Sequence, residues 1–264
     1  MIYRLGRHLD DLRAREERAL IVFITAGDAP LEDLPRLLRA LQAGGADVIE
    51  VGIPFSDPFG EGPTIQASSQ RALDNGTTPG QILHAMGEAE LEIPMLTMGY
   101  VNPVMRMGWE EFARRSAAAG ASGTIISDLV PDEAEPWGWA SAAYELDTVF
   151  LAAPTSTERR LDQVAERTTG FVYAVSRTGV TGAENEVPPE VGELVAKIRA
   201  RTERPICVGF GVSTPDHVRR VCEVADGAVV GSALVAFLHR EWGRDGDEAR
   251  VASFVGDLKT ATRG

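Results

Sequence analysis

Eight short runs rich in Val, Ile, Leu and Phe recur along this chain, at 19–27, 47–53, 94–100, 123–129, 147–153, 170–176, 205–211 and 227–233. Runs of this length, bounded by Gly, Pro and Asp, predict buried parallel strands. Between them the apolar period changes. Leu31, Leu34, Leu37, Leu38 and Leu41 fall on one helix face, and comparable stretches separate the other runs. Helix starts are marked by Pro30, by Gly62, Pro63 and Thr64, and by Ser213, Thr214, Pro215 and Asp216. Eight strand–helix units without a linker or low-complexity break predict a single α/β domain over residues 1–264, a closed (β/α)8 TIM barrel. A doubly wound open sheet shares the alternation, but eight units in one unbroken stretch favour the barrel.

Two helical stretches fall outside the eight-fold count. Residues 3–16 carry Leu5, Leu9 and Leu12 at helical spacing and are expected to cap the N-terminal end of the barrel. Residues 62–75 form an extra helix after strand 2, ahead of that strand's regular helix at 78–91.

Composition narrows the function. With 44% hydrophobic residues the chain can bury a sizeable core. A net charge of −13 argues against a nucleic-acid surface, because phosphate contacts need basic patches. No apolar run approaches a membrane span, and the charged N-terminal segment is unlike a signal peptide, so a cytoplasmic protein is expected. Cys207 and Cys222 read as reduced core thiols, and four scattered histidines suggest no metal site.

The candidate chemistry begins on strand 2. Side-chain alternation puts Val48, Glu50 and Gly52 on one face and Ile49, Val51 and Ile53 on the other. If the Ile/Val face packs on helices, Glu50 points inward, and burial without partners raises a carboxyl pKa into the range of an acid/base catalyst. A second acid, Glu61, follows between Gly60 and Gly62, and two carboxylates on a strand and a loop suit paired proton transfer. Tyr100, Asp128, Tyr173 and Arg177 map to the same C-terminal strand ends, where barrel active sites lie. Each has a plain structural alternative: a core tyrosine with a satisfied hydroxyl, or a turn-capping aspartate.

Strand 7 runs into Gly209, Phe210 and Gly211, and strand 8 into Gly231, Ser232 and Ala233. Glycines there let backbone N–H groups and a helix N-terminus approach a phosphate, a device open even to a strongly acidic protein. The segment SRTGVTGAEN, 176–185, has the length and the glycines, at 179 and 182, of a lid over bound substrate.

The segments FITAGD (23–28), GADVIEVGIPFSDPFGEGPTIQ (45–66), GYVNPV (99–104), SRTGVTG (176–182), GFGVS (209–213) and VVGSA (229–233) together resemble the tryptophan synthase alpha subunit family over nearly the whole chain. The resemblance implies a lyase of tryptophan biosynthesis. It would split indole-3-glycerol phosphate by a retro-aldol reaction into indole and glyceraldehyde 3-phosphate, with no metal or organic cofactor. Carried over by position, Glu50 is the general acid/base and Glu61 a second carboxylate near the indole N–H. Phe23, Thr25, Tyr100 and Tyr173 would line the substrate pocket, with Asp128, Arg177 and Thr181 completing it. Gly182, Gly211, Gly231 and Ser232 would bind phosphate.

A beta subunit is the implied partner, in an alpha2beta2 assembly, meeting Ser56–Pro58 and Asn102–Met107. Two positions depart from the family pattern: Glu61 replaces an aspartate, and Arg106 stands where a small or amide residue is expected. They leave open two rivals, a stand-alone indole-producing lyase of specialised metabolism and a catalytically weak binding or activating subunit. Retention of Glu50, the phosphate glycines and the 176–185 segment argues against the second.

Overall fold

The computed structural model describes residues 4–175, 189–209, 211–242 and 247–263. Its eight strands are β1 (Ala19–Thr25), β2 (Val48–Gly52), β3 (Met95–Gly99), β4 (Ala121–Ile126), β5 (Asp147–Ala152), β6 (Val172–Val175), β7 (Ile206–Gly209) and β8 (Gly227–Val230). They pair in sequence order, all parallel, and β8 closes on β1. The expected barrel is therefore closed rather than open.

Helices α1 (Arg4–Ala14), α2 (Leu34–Ala43), α3 (Pro63–Asp74), α4 (Pro79–Gly87), α5 (Val101–Met107) and α6 (Trp109–Ala118) accompany the first half. The second half carries α7 (Glu135–Ala143), α8 (Glu158–Arg167), α9 (Pro189–Arg199), α10 (Pro215–Val224), α11 (Ser232–Glu241) and α12 (Glu248–Thr260). The extra helices expected around 3–16 and 62–75 are α1 and α3. Two more, α5 and α12, lie outside the expected set. At Gly108, φ of 94° ends α5 and starts α6, a backbone turn that the helical period alone does not show.

Two packed layers follow from the strand period. Ile49, Val51 and Ile53 join the shell between strands and helices, where Leu34, Leu37, Leu38 and Leu41 of α2 are also buried. Val48, Leu96, Ile125, Val149, Phe171, Tyr173, Cys207 and Val229 fill the barrel itself, and Leu5, Leu9 and Leu12 of α1 join them. Burying each Leu is worth about 1.5–3 kcal/mol, so α1 plugs the barrel floor with part of the core. Both cysteines are free and buried.

Several expected strands end early. β3 stops at Gly99, leaving Tyr100 to begin α5; β4 stops at Ile126; β7 stops at Gly209, short of Gly211. β8 stops at Val230, so Gly231 and Ser232 start α11 instead of extending the strand. Parallel-strand pairing, not apolarity, decides where these strands end. Among the described residues, no helix is long and apolar enough to cross a membrane.

Candidate active site

Glu50 sits at the centre of the barrel. It is 0% exposed, level with Phe23 on β1 and Leu96 on β3. Neither carboxylate oxygen has a hydrogen-bond partner among the described residues. Burial, with the charge of Glu61 adding to it, pushes its pKa up to about 8. One step along the inward face, Gly52 leaves room for the Phe23 ring: a Cβ there would stand 2.5 Å from Phe23 Cζ. The strand places the acid below a roof that the neighbouring strand supplies.

Glu61 enters from above, on the loop between β2 and α3. Burial alone pushes its pKa up to about 7. Its backbone N–H donates to Pro58 O at 3.0 Å, and its carbonyl accepts Gln66 Nε2 at 2.9 Å. The carboxyl lines a small cavity together with Phe23, Thr25, Phe55, Ile65 and Tyr100. Two coupled acids lifted toward neutrality can exchange roles, one protonated and one ionised, at the pH where both titrate.

Tyr173 is buried on β6 and faces the same interior. Burial, then Glu50 and Glu61, raise its pKa well above the ordinary value, so the phenol stays neutral. Gly209 makes this possible, since a Cβ there would lie 2.4 Å from Tyr173 Oη. Tyr100 lines the cavity under the strand-2 loop, and burial with nearby acids pushes its pKa up to about 12.

Thr25 reaches the cavity wall but spends its hydroxyl on α3. Thr25 Oγ1 and Ser68 Oγ lie 2.7 Å apart, and Ser68 donates onward to Ile65 O at 2.8 Å, so Thr25 is the donor of the pair. Asp128 does not cap the turn that follows it, the alternative considered for it; its Oδ1 instead accepts the Val101 N–H at 2.7 Å, 27 residues back along the chain at the start of α5.

At the phosphate candidates, Gly211 adopts φ of 89°, a left-handed turn that disfavours any side chain. Gly231 is the N-cap of α11 and Ser232 its first residue, with no side chain capping the helix. The first N–H groups of α11 are therefore without a side-chain acceptor, the feature that lets a helix start take an anion. A Cβ on Gly231 would lie 3.7 Å from Ile65 and Phe23, both of which line the cavity, so this helix start borders the acid pair. Arg177, Thr181, Gly182 and the 176–185 segment lie outside the described residues.

Sequence reasoning missed Ser127, which lines the cavity with a buried hydroxyl lacking a partner among the described residues. It missed Phe59 as well, which is 71% exposed and packs edge-on against Tyr100. Neither residue type carries a spacing signal; only their neighbours identify them. Among the described residues, no group of three or more His, Cys, Asp or Glu could hold a metal ion.

A closed parallel barrel that buries one carboxyl at its centre and brings a second, also raised toward neutrality, over it on a loop, beside an uncapped helix start suited to phosphate, is the build of an acid–base barrel enzyme for small phosphorylated molecules. The tryptophan synthase alpha chain family model matches residues 9–263. The tryptophan synthase alpha chain of Solibacter usitatus is 43% identical over 97% of each chain, and that of Gloeobacter violaceus is 47% identical over 89% of this chain and 86% of its own. Among solved structures, tryptophan synthase subunit alpha from Legionella pneumophila superposes with a TM-score of 0.91 at 32% identity, covering 100% of this chain and 99% of its own. An aminoacrylate-bound tryptophan synthase from M. tuberculosis gives 0.89 at 37% identity, covering 99% of this chain and 100% of its own. The chain belongs to the tryptophan synthase alpha chain family.

Proposed function

We propose that Glu50 and Glu61 are the acid–base pair with which this carbon–carbon lyase splits indole-3-glycerol phosphate into indole and glyceraldehyde 3-phosphate, a step of tryptophan biosynthesis. The observation that carries the assignment is Glu50 itself, fully buried, inward and unpartnered among the described residues. Protonation at indole C3 turns the ring into an electron sink; removal of the side-chain hydroxyl proton then breaks the carbon–carbon bond and releases the aldehyde. Glu50, raised to about 8, can carry the first proton at neutral pH, when an ordinary glutamate is ionised. Glu61 meets the positive charge that develops at the indole N–H. The α11 N-terminus at Gly231 and Ser232, with Gly211 and Gly182, holds the phosphate. Phe23, Tyr100 and Tyr173 enclose the ring and glycerol, with Thr25, Asp128, Arg177 and Thr181 around them.

The partner is the tryptophan synthase beta subunit, in an alpha2beta2 complex, and the compartment is the cytoplasm. The docking face is formed by Ser56–Pro58 and Asn102–Met107, where Met105 is 57% exposed and Arg106 is exposed as well. Arg106 lies on the surface of α5 and not in the core of this chain, so an interface with the partner has to match its charge. The whole chain, residues 1–264, acts as one barrel domain. Indole release from indole-3-glycerol phosphate, measured for the parent and Glu50→Gln with and without the beta subunit encoded in the same source, tests the reading. A folded Glu50→Gln protein within a few-fold of the parent rate overturns the Glu50 assignment. A persistent monomer with no rate change on mixing favours the stand-alone lyase.

A further inference from the structure

Tyr100 is tied to the strand-2 loop through three separate contacts. Its hydroxyl accepts the Gly60 N–H at 3.2 Å. Its ring stacks on Phe55, with centroids 5.4 Å apart and planes 29° from parallel. Phe59 meets the same ring edge-on at 5.6 Å. All three partners belong to the stretch leading directly into Glu61, whereas Tyr100 stands 40 residues from Gly60, at the N-cap of α5.

Apart from Tyr100, the loop is held by the Gln66 Nε2 bond to Glu61 O at 2.9 Å and by two bonds of its own. Residues 56, 57, 59 and 60 are exposed, and its own backbone bonds are Phe59 N–H to Asp57 O at 2.9 Å and Glu61 N–H to Pro58 O at 3.0 Å. Glycines flank Glu61 on both sides, and each costs roughly 0.5–1 kcal/mol more to order than alanine. The two glycines differ in kind. A Cβ at Gly62 would meet nothing within 4 Å, whereas one at Gly60 would lie 3.3 Å from Tyr100 Oη. Gly62 leaves the loop free; Gly60 lets it approach the phenol closely.

The anchor is itself fixed. Asp128, just beyond β4, accepts the Val101 N–H at 2.7 Å and so holds the residue next to Tyr100. Because Tyr100 Oη is the acceptor toward Gly60, its own proton remains available inside the cavity.

We infer that Tyr100 is a positioning residue for Glu61: its ring and hydroxyl hold the β2–α3 loop where the Glu61 carboxylate enters the cavity beside Glu50. The inference rests on the reading of Glu61 as a group that handles charge in the reaction. Glutamate has one torsion more than aspartate, so its loop needs a firmer base to deliver the carboxylate to one place. Misplacement by about 1 Å can lower a rate on the order of 100-fold.

The test is a double-mutant cycle in the full-length protein, assayed with and without the beta subunit. Tyr100→Phe keeps both ring contacts and removes the hydroxyl, and with it both the bond to Gly60 and the proton that faces the cavity. It is expected to lower kcat about 10- to 100-fold while KM moves less than about threefold. In a Glu61→Gln background the same change should alter kcat by less than about twofold, because the residue through which it acts is already disabled. The Gly60 amide resonance should also shift upfield in Tyr100→Phe as its acceptor is lost. Equal losses in both backgrounds would mean that Tyr100 works on the substrate directly and would overturn the inference, as would an unmoved Gly60 resonance. If Glu61→Gln alone matches the parent, the reading of Glu61 fails and takes this inference with it. That failure is distinguishable, since the Gly60 resonance still moves.

Discussion

Asp47, just ahead of β2, and Glu50, at the middle of that strand, are three positions apart and both buried, yet their surroundings are opposite. Asp47, at the floor of the barrel, accepts the Leu20 N–H and Lys259 Nζ, each at 2.7 Å. Through that pair the C-terminal helix α12 is fastened to β1 and β2. Glu50, in the interior, has neither a cation nor a donor among the described residues. A buried carboxylate in a stable fold is normally paired, because desolvating the charge costs several kcal/mol. Asp47 meets that requirement and holds the fold together. Glu50 meets it by keeping a proton, and this makes it useful for chemistry.

The floor and the interior should therefore fail in different ways. The largest effect is expected from Glu50→Gln, which keeps shape but cannot shuttle a proton: indole release should fall about 100- to 10,000-fold with the fold intact, checked by turnover and circular dichroism. Lys259→Met should do the reverse. Leaving the Asp47 charge buried without its cation should cost on the order of 3 kcal/mol in urea unfolding, while the rate per folded molecule stays near the parent. A Lys259→Met protein that is stable but inactive would erase the distinction between the two ends.

pH sharpens the comparison. Folding raises Glu50 from the ordinary 4.5 to about 8, so the folded state favours the protonated form. That contribution is fully present below about pH 4.5 and is lost as pH rises through about 8. Glu50→Gln does not lose it, so its stability should gain on the parent across this window, by on the order of 2–5 kcal/mol. Parallel curves from pH 5 to 9 would show Glu50 to be ordinary. The rate itself should be bell-shaped, with limbs belonging to the pair near about 7 and about 8.

Smaller effects separate the loop acid and the phosphate cradle from the central acid. Glu61→Gln should lower single-turnover indole release, and Glu61→Asp should raise it in the absence of partner; if both match the parent, Glu61 is a bystander. Gly231→Val should weaken glycerol 3-phosphate binding about tenfold, the scale of one charge-assisted hydrogen bond, with little loss of stability. A Cβ there would be in ordinary contact distance of Ile65 and Phe23, at 3.7 Å. Unchanged affinity by calorimetry would remove the α11 N-terminus from the phosphate site.

Period and residue type alone determined the alternating elements and favoured the barrel, and they set Glu50 on the face opposite Ile49, Val51 and Ile53, because a strand has only two faces; that the sheet closes was decided by β8 pairing with β1. They also marked the helix starts at Gly62–Pro63 and Thr214–Pro215, since capping is a local matter of one side chain or one missing N–H. Tertiary structure decided what crosses the chain. Asp128 could be read as ligand or cap until β4 brought it to Val101, and Tyr100 as a core aromatic until Gly60 met its hydroxyl. Asp47 lacked an assigned partner until α12 delivered Lys259 from 212 residues away. The reason is range: a rotamer, a cap or a face is set within a few residues, whereas the partner of a buried polar atom depends on which distant segment the closed barrel places beside it.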